Sequence, residues 1–240
     1  MSKSYREVAD YYDEMWADLE KQSMAGINSR HRVILKKLKQ AGFNRSSTIL
    51  EIGCGVGTLS KFISSQLSSG SMDAVDISPA SIKFAKEKYK HVKNLSFHVS
   101  DMTDFKIDKK FDFILFPDVL EHIPLEAHDN IFRTVKSLVH EDSKITINLP
   151  DPRSIRWFMK NKPELLQIID QDIEANILIE KLYSNGFYLT AMETYKVFYD
   201  KPEYGWFVFN VQKELNSINK KSKISVMLNS ILLRLQNLFS

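Results

Sequence analysis

The chain of 240 residues has one cysteine, Cys54. A single thiol excludes an internal disulfide framework. No stretch approaches the roughly 20 apolar residues of a membrane-spanning helix. Residues 1–10 are polar and lack the apolar segment of a secretory signal. Charge of either sign is scarce in net terms: 33 Lys and Arg against 30 Asp and Glu leave +3. The basic residues form no stripe interleaved with aromatics, so nucleic acid is not favoured as a partner. These absences point to a cytoplasmic protein. What is present is an apolar content of 43%, enough for a full core. The length suits one α/β domain with additions.

The most informative segment is residues 49–57, Ile-Leu-Glu-Ile-Gly-Cys-Gly-Val-Gly. A short apolar run reads as a buried strand. It leads into three alternate glycines, Gly53, Gly55 and Gly57, which let backbone approach a ligand closely. A helical pattern over residues 58–67 then sets a helix N-terminus beside that ligand. Glu51 sits at the strand end. Its carboxylate would repel a pyrophosphate and favour a cofactor with a cationic amino-acid end.

Two more strand ends carry acids. Residues 72–75 end in Asp76, about 20 residues past the glycine turn, where an acid accepts from ribose hydroxyls. Asp101 and Met102 close a third strand. Asp101 is placed to accept from an adenine amino group, with Met102 and Ile77 lining the ring. A fourth apolar strand, residues 111–116, runs into Pro117-Asp118-Val119-Leu120-Glu121-His122.

This ordered set resembles the class I S-adenosylmethionine (SAM)-dependent methyltransferases, over about residues 48–149. The resemblance implies a doubly wound, mostly parallel seven-stranded sheet with helices on both faces and the last strand antiparallel. It implies SAM as cofactor, bound by Glu51, Gly53, Cys54, Gly55, Gly57, Asp76, Ile77, Asp101, Met102 and Phe116. Backbone around Gly53 and Phe116 would hold the methionine end. Cys54 reads as a small packing residue inside the turn. Tyr11-Tyr12-Asp13 is similar to the start of several small-molecule methyltransferases, whose N-terminal helix folds over the cofactor; Tyr12 would bond the methionine carboxylate or the substrate.

Residues 1–45 are therefore expected to be lid helices, over about 5–20 and 27–38, and residues 46–212 the SAM-binding domain. Residues 151–172 form an insertion that builds the substrate pocket or merely extends the core. Arg30 and His31 begin the second helix and read as a solvated helix end, with a carboxylate or phosphate contact as the alternative. Residues 213–240 are a basic, amphipathic tail. Lys220, Lys221 and Lys223 precede an apolar stripe from Ile224 to Phe239 at helical spacing. The stripe suits docking on the parent domain or a homodimer mate, or peripheral contact with a membrane, with a disordered tail as the remaining reading.

Methyl transfer from a sulfonium needs an aligned nucleophile and, for a hydroxyl or amine, a proton acceptor. Asp118, Glu121 and His122 are the candidates, with His122 the expected general base. The same three residues would alternatively hold Mg²⁺ or Mn²⁺ if they share one helical turn. The acceptor is expected to be a small molecule, with a sugar or glycan hydroxyl first and an amine second. A SAM-binding regulatory protein is a third reading. An aminopropyltransferase, with Asp170, Asp172 and Glu174 holding a polyamine, is a fourth.

Overall fold

The computed structural model describes residues 26–167 and 169–214, with Tyr11, Lys21, Met24, Ser222, Ser225 and Met227. Tyr12, most of the expected helix over residues 5–20 and most of the 224–239 stripe lie outside the described residues.

Seven strands build one sheet: β1 (Thr48–Ile52), β2 (Ser71–Asp76), β3 (Leu95–Val99), β4 (Phe111–Pro117), β5 (Val139–Pro150), β6 (Phe187–Tyr195) and β7 (Tyr204–Val211). Their spatial order is β3-β2-β1-β4-β5-β7-β6. Strands β1 to β5 pair in parallel. Only β7 runs against its neighbours, β5 and β6. The order reverses between β1 and β4, and the crevice beyond the carboxyl ends there is where open α/β sheets bind ligands.

Side-chain alternation feeds two cores. Ile114 and Phe116 of β4 face one side of the sheet, and Phe113 and Leu115 the other. The first side is covered by α4 (His128–Ser137) and α6 (Ala175–Ser184), through Phe132, Val135, Leu178 and Leu182. The second is covered by α1 (Ser29–Gln40), α2 (Thr58–Ser64) and α3 (Pro79–Lys88), through Ile34, Leu38, Ile63 and Ile82. Each such side chain, fully buried, contributes on the order of 2 kcal/mol.

Three elements differ from expectation. α1 starts at Ser29 because Asn28 caps it: its side chain accepts from the His31 amide at 3.0 Å, and His31 Nδ1 accepts from the Asn28 amide. The sequence pattern over residues 125–139 reads as one helix, but the helix formed is shorter. A 3₁₀ turn, Leu125–Ala127, precedes α4. The buried His128 ring anchors it, with Nε2 at 3.1 and 2.9 Å from the Leu120 and Ile123 carbonyls. β5, which the sequence pattern places at residues 144–148, starts at Val139, five residues early. Ser143 Oγ donates to the Phe111 carbonyl at 2.6 Å and carries the pairing past a register shift between Phe111 and Phe113.

Residues 151–172 form α5 (Pro152–Asn161), a 3₁₀ turn (Pro163–Leu165) and a return segment. Asp151 caps α5 through the Arg153 amide at 2.9 Å.

Candidate active site

The glycine turn leaves β1 with φ of 80°, 52° and 76° at Gly53, Gly55 and Gly57. L side chains rarely adopt this left-handed region. The Gly53 and Cys54 amides donate to the Val75 carbonyl at 2.9 and 3.0 Å, which folds the turn back over β2. A Cβ on Gly53 would collide with Val119, lying 2.7 Å from its Cβ. A Cβ on Gly57 would lie 2.6 Å from the Phe97 ring. Gly57 therefore serves the close packing of α2 on the sheet. Gly53, Cys54 and Gly55 line a cavity of about 980 Å³ at the carboxyl edge, and Gly57 lies behind it.

Asp76 stands at the tip of β2 and ties the turn together. Its carboxylate accepts from the Gly55 amide at 2.7 Å and the Ser78 amide at 2.9 Å. Ile77, Asp101 and Met102 join it on the cavity wall. Asp101 Oδ1 also accepts from the Thr103 amide and hydroxyl. Met102, at φ 65°, is 1% exposed and packs mainly into the core. Glu51 is buried under the turn, where Ser60 Oγ donates to it at 2.6 Å. Burial lifts its pKa to about 8, beyond what the Ser60 bond offsets. Cys54 is buried, and burial pushes its thiol well up.

The Phe116 ring turns into the core, edge-on to Phe132 at 6.0 Å, and Pro117 lines the cavity, so only the backbone at Phe116 is left for the cofactor contact expected there. Strand alternation decides this, since Phe116 shares its face with Ile114.

Beyond β4 the chain turns sharply at Asp118, which has φ 55°. The Asp118 amide donates to the Asn148 carbonyl at 3.0 Å, and Asn148 Nδ2 donates to Asp118 Oδ1 at 2.7 Å. Arg30 Nη1 lies 3.0 Å from Asp118 Oδ2. Tyr195 donates its hydroxyl to Asn148 Oδ1, and Arg30 Nη1 donates to the Tyr204 hydroxyl at 3.4 Å. Five elements thus meet in one polar network. Arg30 is no solvated helix end: it lines the cavity, and its buried Nε has no hydrogen-bond partner. The sequence reading missed Tyr195 and Tyr204 altogether.

Glu121 and His122 lie in a 3₁₀ turn, Leu120–His122. His122 Nδ1 lies 3.0 Å from Asp170 Oδ1 and 2.7 Å from the Ile169 carbonyl, and Nε2 lies 3.7 Å from Glu121 Oε1. Glu121 is 1% exposed, and its Oε2 has no hydrogen-bond partner. Gln171 fastens the return segment here, its side-chain amide donating to the Ile123 carbonyl at 2.6 Å. Asp118 faces Arg30 while His122 faces Asp170, and among the described residues no three His, Cys, Asp or Glu side chains converge as metal ligands. The polyamine reading fails similarly: Asp172 and Glu174 both pair with Arg156, at 2.9 and 2.7 Å.

The outer cavity wall comes from the insertion and from the β6–β7 hairpin. Ile155, Phe158, Leu165 and Leu166 line it from one side, Tyr199 and Tyr204 from the other. Glu203 holds the hairpin tip by accepting from the amides of Val197, Phe198 and Tyr199 at 3.2, 2.7 and 2.9 Å.

Residues 43–216 match the family described as "Methyltransferase domain". The chain belongs to the methyltransferase domain family. This methyltransferase is 33% identical over 107 residues to malonyl-[acyl-carrier protein] O-methyltransferase 1 of Ilyobacter polytropus, covering 45% of this chain and 39% of that protein. It is 32% identical over 138 residues to malonyl-[acyl-carrier protein] O-methyltransferase of Priestia megaterium, covering 58% and 45%. The matched segment thus spans less than half the length of these curated relatives. In fold it is similar to magnesium protoporphyrin IX methyltransferase of Synechocystis PCC 6803 with bound SAH, with TM-score 0.67, 18% identity, and coverage of 87% of this chain and 99% of that one. A SAM-dependent methyltransferase of Clostridium acetobutylicum gives TM-score 0.65 at 12% identity, covering 84% and 99%.

The methyltransferase's cavity suits SAM. Gly53 and Gly55 leave room where side chains would intrude, Asp76 places an acceptor at the tip of β2 on the cavity wall, and the orphaned Arg30 Nε suits the cofactor carboxylate. Among the described residues no helix is long and apolar enough to cross a membrane.

Proposed function

We propose that this methyltransferase moves the methyl group of SAM to a carboxylate oxygen of an acid, offered free or on a carrier. The observation that carries this reading is the state of His122. Burial disfavours charge on its ring, but Glu121, Asp170 and the Ile169 carbonyl outweigh burial and lift its pKa to about 9. At neutral pH the ring is therefore a cation on the cavity wall. A protonated imidazole cannot take a proton, but it attracts an anion.

Other bases are weak or engaged. Burial and Arg30 lower the His31 pKa to about 4. Burial raises Tyr195 and Tyr204 above the usual phenol range, so both keep their protons. Burial raises Glu121 above the usual carboxylate range while the His122 charge pulls it back down, so the two titrate as a pair, and Glu121 Oε2 has no hydrogen-bond partner. A hydroxyl or ammonium acceptor must lose a proton during transfer. A carboxylate arrives without one.

The bound cofactor supplies an electrophilic methyl on a sulfonium that departs as a neutral thioether. The chain's residues do the rest by position. Arg30 and Asp76 would orient the two ends of the donor, and His122 would hold the acceptor in line for transfer. In this reading His122 binds the acceptor and is not the general base of the sequence expectation. The similarity to malonyl-[acyl-carrier protein] O-methyltransferases supports an oxygen acceptor on an acid rather than a sugar or glycan hydroxyl.

The test offers SAM with a labelled methyl group and panels of carboxylic acids, sugars and amines. Label is expected in a methyl ester, released as methanol by mild alkali. The rate is expected to stay flat from about pH 6 to about 8 and to fall above about pH 9 as His122 loses its proton. An alkali-stable methyl ether, or a rate that climbs about tenfold per pH unit up to about 8, would overturn the reading and make Glu121 a base.

A further inference from the structure

The half of the cavity beyond His122 changes character. Ile155, Phe158, Leu165 and Leu166 of the insertion and Tyr199 of the hairpin line it, and they belong to the same cavity as Gly53 and Asp76. Large apolar side chains here are unusually open. Leu165 is 62% exposed and Tyr199 58%, against 0% for Phe111 or Phe132 in the core. They are held open by structure, since Glu203 fastens the loop that carries Tyr199 and Gln171 fastens the return of the insertion. Phe158 and Tyr199 meet edge-on at 6.2 Å, closing one wall between two elements.

The carboxylates on this outer part are spent on the protein: Asp170 on His122 and the Gln167 amide, and Glu203 on three amides, while Ser154 and Gln167 also line it. A sugar or other polyhydroxylated body would leave most of its hydroxyls facing hydrocarbon, at a cost of roughly 1–3 kcal/mol for each one unsatisfied. Exposed apolar surface beside a polar reaction centre instead suits an amphiphile.

We propose that the acceptor is an amphiphilic acid whose apolar body, an acyl chain or fused ring, lies in the chamber formed by Ile155, Phe158, Leu165, Leu166 and Tyr199, with its reacting group inward at His122. The inference rests on the carboxylate reading for the inner end only; the apolar chamber stands on its own residues.

The experiment uses the full-length chain, saturating SAM and straight-chain carboxylic acids from four to twelve carbons. Binding is measured by calorimetry with S-adenosylhomocysteine present, and turnover as methyl ester formed. Affinity is expected to rise roughly three- to fourfold per added methylene until the chain outgrows the chamber. Phe158→Ala and Leu165→Asp are expected to flatten that slope while S-adenosylhomocysteine affinity and the thermal midpoint stay within error, which shows the variants are folded. Affinity independent of chain length, or a slope unchanged in both variants, overturns the chamber. Long acids that bind tightly but gain no methyl group support the chamber and overturn the carboxylate reading instead. Short, polar acids that are esterified with a flat length dependence do the reverse.

Discussion

Arg30 and Asp118 meet across the mouth of the sheet, Nη1 to Oδ2 at 3.0 Å, and so join the first described helix to the turn after β4. Arg30 is held charged beyond the ordinary guanidinium range: Asp118 and Tyr204 outweigh the burial that opposes it. Removing one partner strands the other. Arg30→Met is expected to destabilise the fold by up to about 3 kcal/mol, and Asp118→Asn by less, because Asn148 still has an acceptor there. The double variant should lose less than the sum of the two, read from urea unfolding. Strict additivity would mean the contact is not energetic.

The glycine turn offers a sharper case. Gly53→Ala puts a methyl group into Val119 and forces an L residue into the left-handed region, which alone costs about 1–2 kcal/mol. S-adenosylhomocysteine affinity should fall at least tenfold. Adding Val119→Ala removes the collision but not the backbone strain, so recovery should be partial. Full recovery, or none, would show that only one of these two costs operates.

Glu51 sets a pH dependence of stability. Its folded pKa of about 8 stands above the ordinary value of 4.5. Between those limits the folded chain holds a proton that the unfolded chain has released. This contribution is full below about pH 4.5 and is lost as pH rises through 8. Compared with Glu51→Gln, the wild-type thermal midpoint should therefore drop steadily from about pH 5 to about pH 8. Parallel curves for the two proteins would place the Glu51 pKa near normal.

Asp76 joins the turn and, in the functional reading, the ribose. Asp76→Ala removes a charged acceptor from two amides and from the ligand, so S-adenosylhomocysteine should bind roughly 10- to 100-fold more weakly by calorimetry. Asp76→Asn should fall between. Unaltered affinity in both would dissociate Asp76 from the cofactor.

Cys54 gives a chemical probe. It is buried at the cavity wall with its thiol pKa raised, so alkylation at neutral pH should be slow. S-adenosylhomocysteine should slow it further, and the guanidinium-unfolded chain should take up one label. Fast labelling that ligand does not affect would put the thiol outside the pocket.

The sequence could be read wherever the signal was local. Glu51 to Gly57, Asp76 and Asp101 each end a short apolar run, and strand ends gather at one sheet edge whatever the loops do. The antiparallel last strand was also expected, and β7 takes that place between β5 and β6. Arg30 was misread because its partner follows four strands later, and an arginine in a first helical turn looks solvated until the fold closes. Tyr195 and Tyr204 sit on opposite strands of one hairpin, paired in register and stacked at 5.5 Å, yet either looks like an ordinary strand residue alone. At Phe116 strand alternation turns the ring into the core and gives the cavity wall to Pro117, which leaves the expected backbone contact open. The insertion was left open between pocket and decoration, because apolar residues on a short helix do not say which surface they face.

One side chain, Glu203, restrains the entire tip of the β6–β7 hairpin. The tip can therefore be exchanged as a cassette: residues 198–202 could be rewritten, provided the acid and the amides it gathers remain, without disturbing strand register. Acceptor preference in this protein should be open to redesign by loop grafting, with the donor half left as it stands.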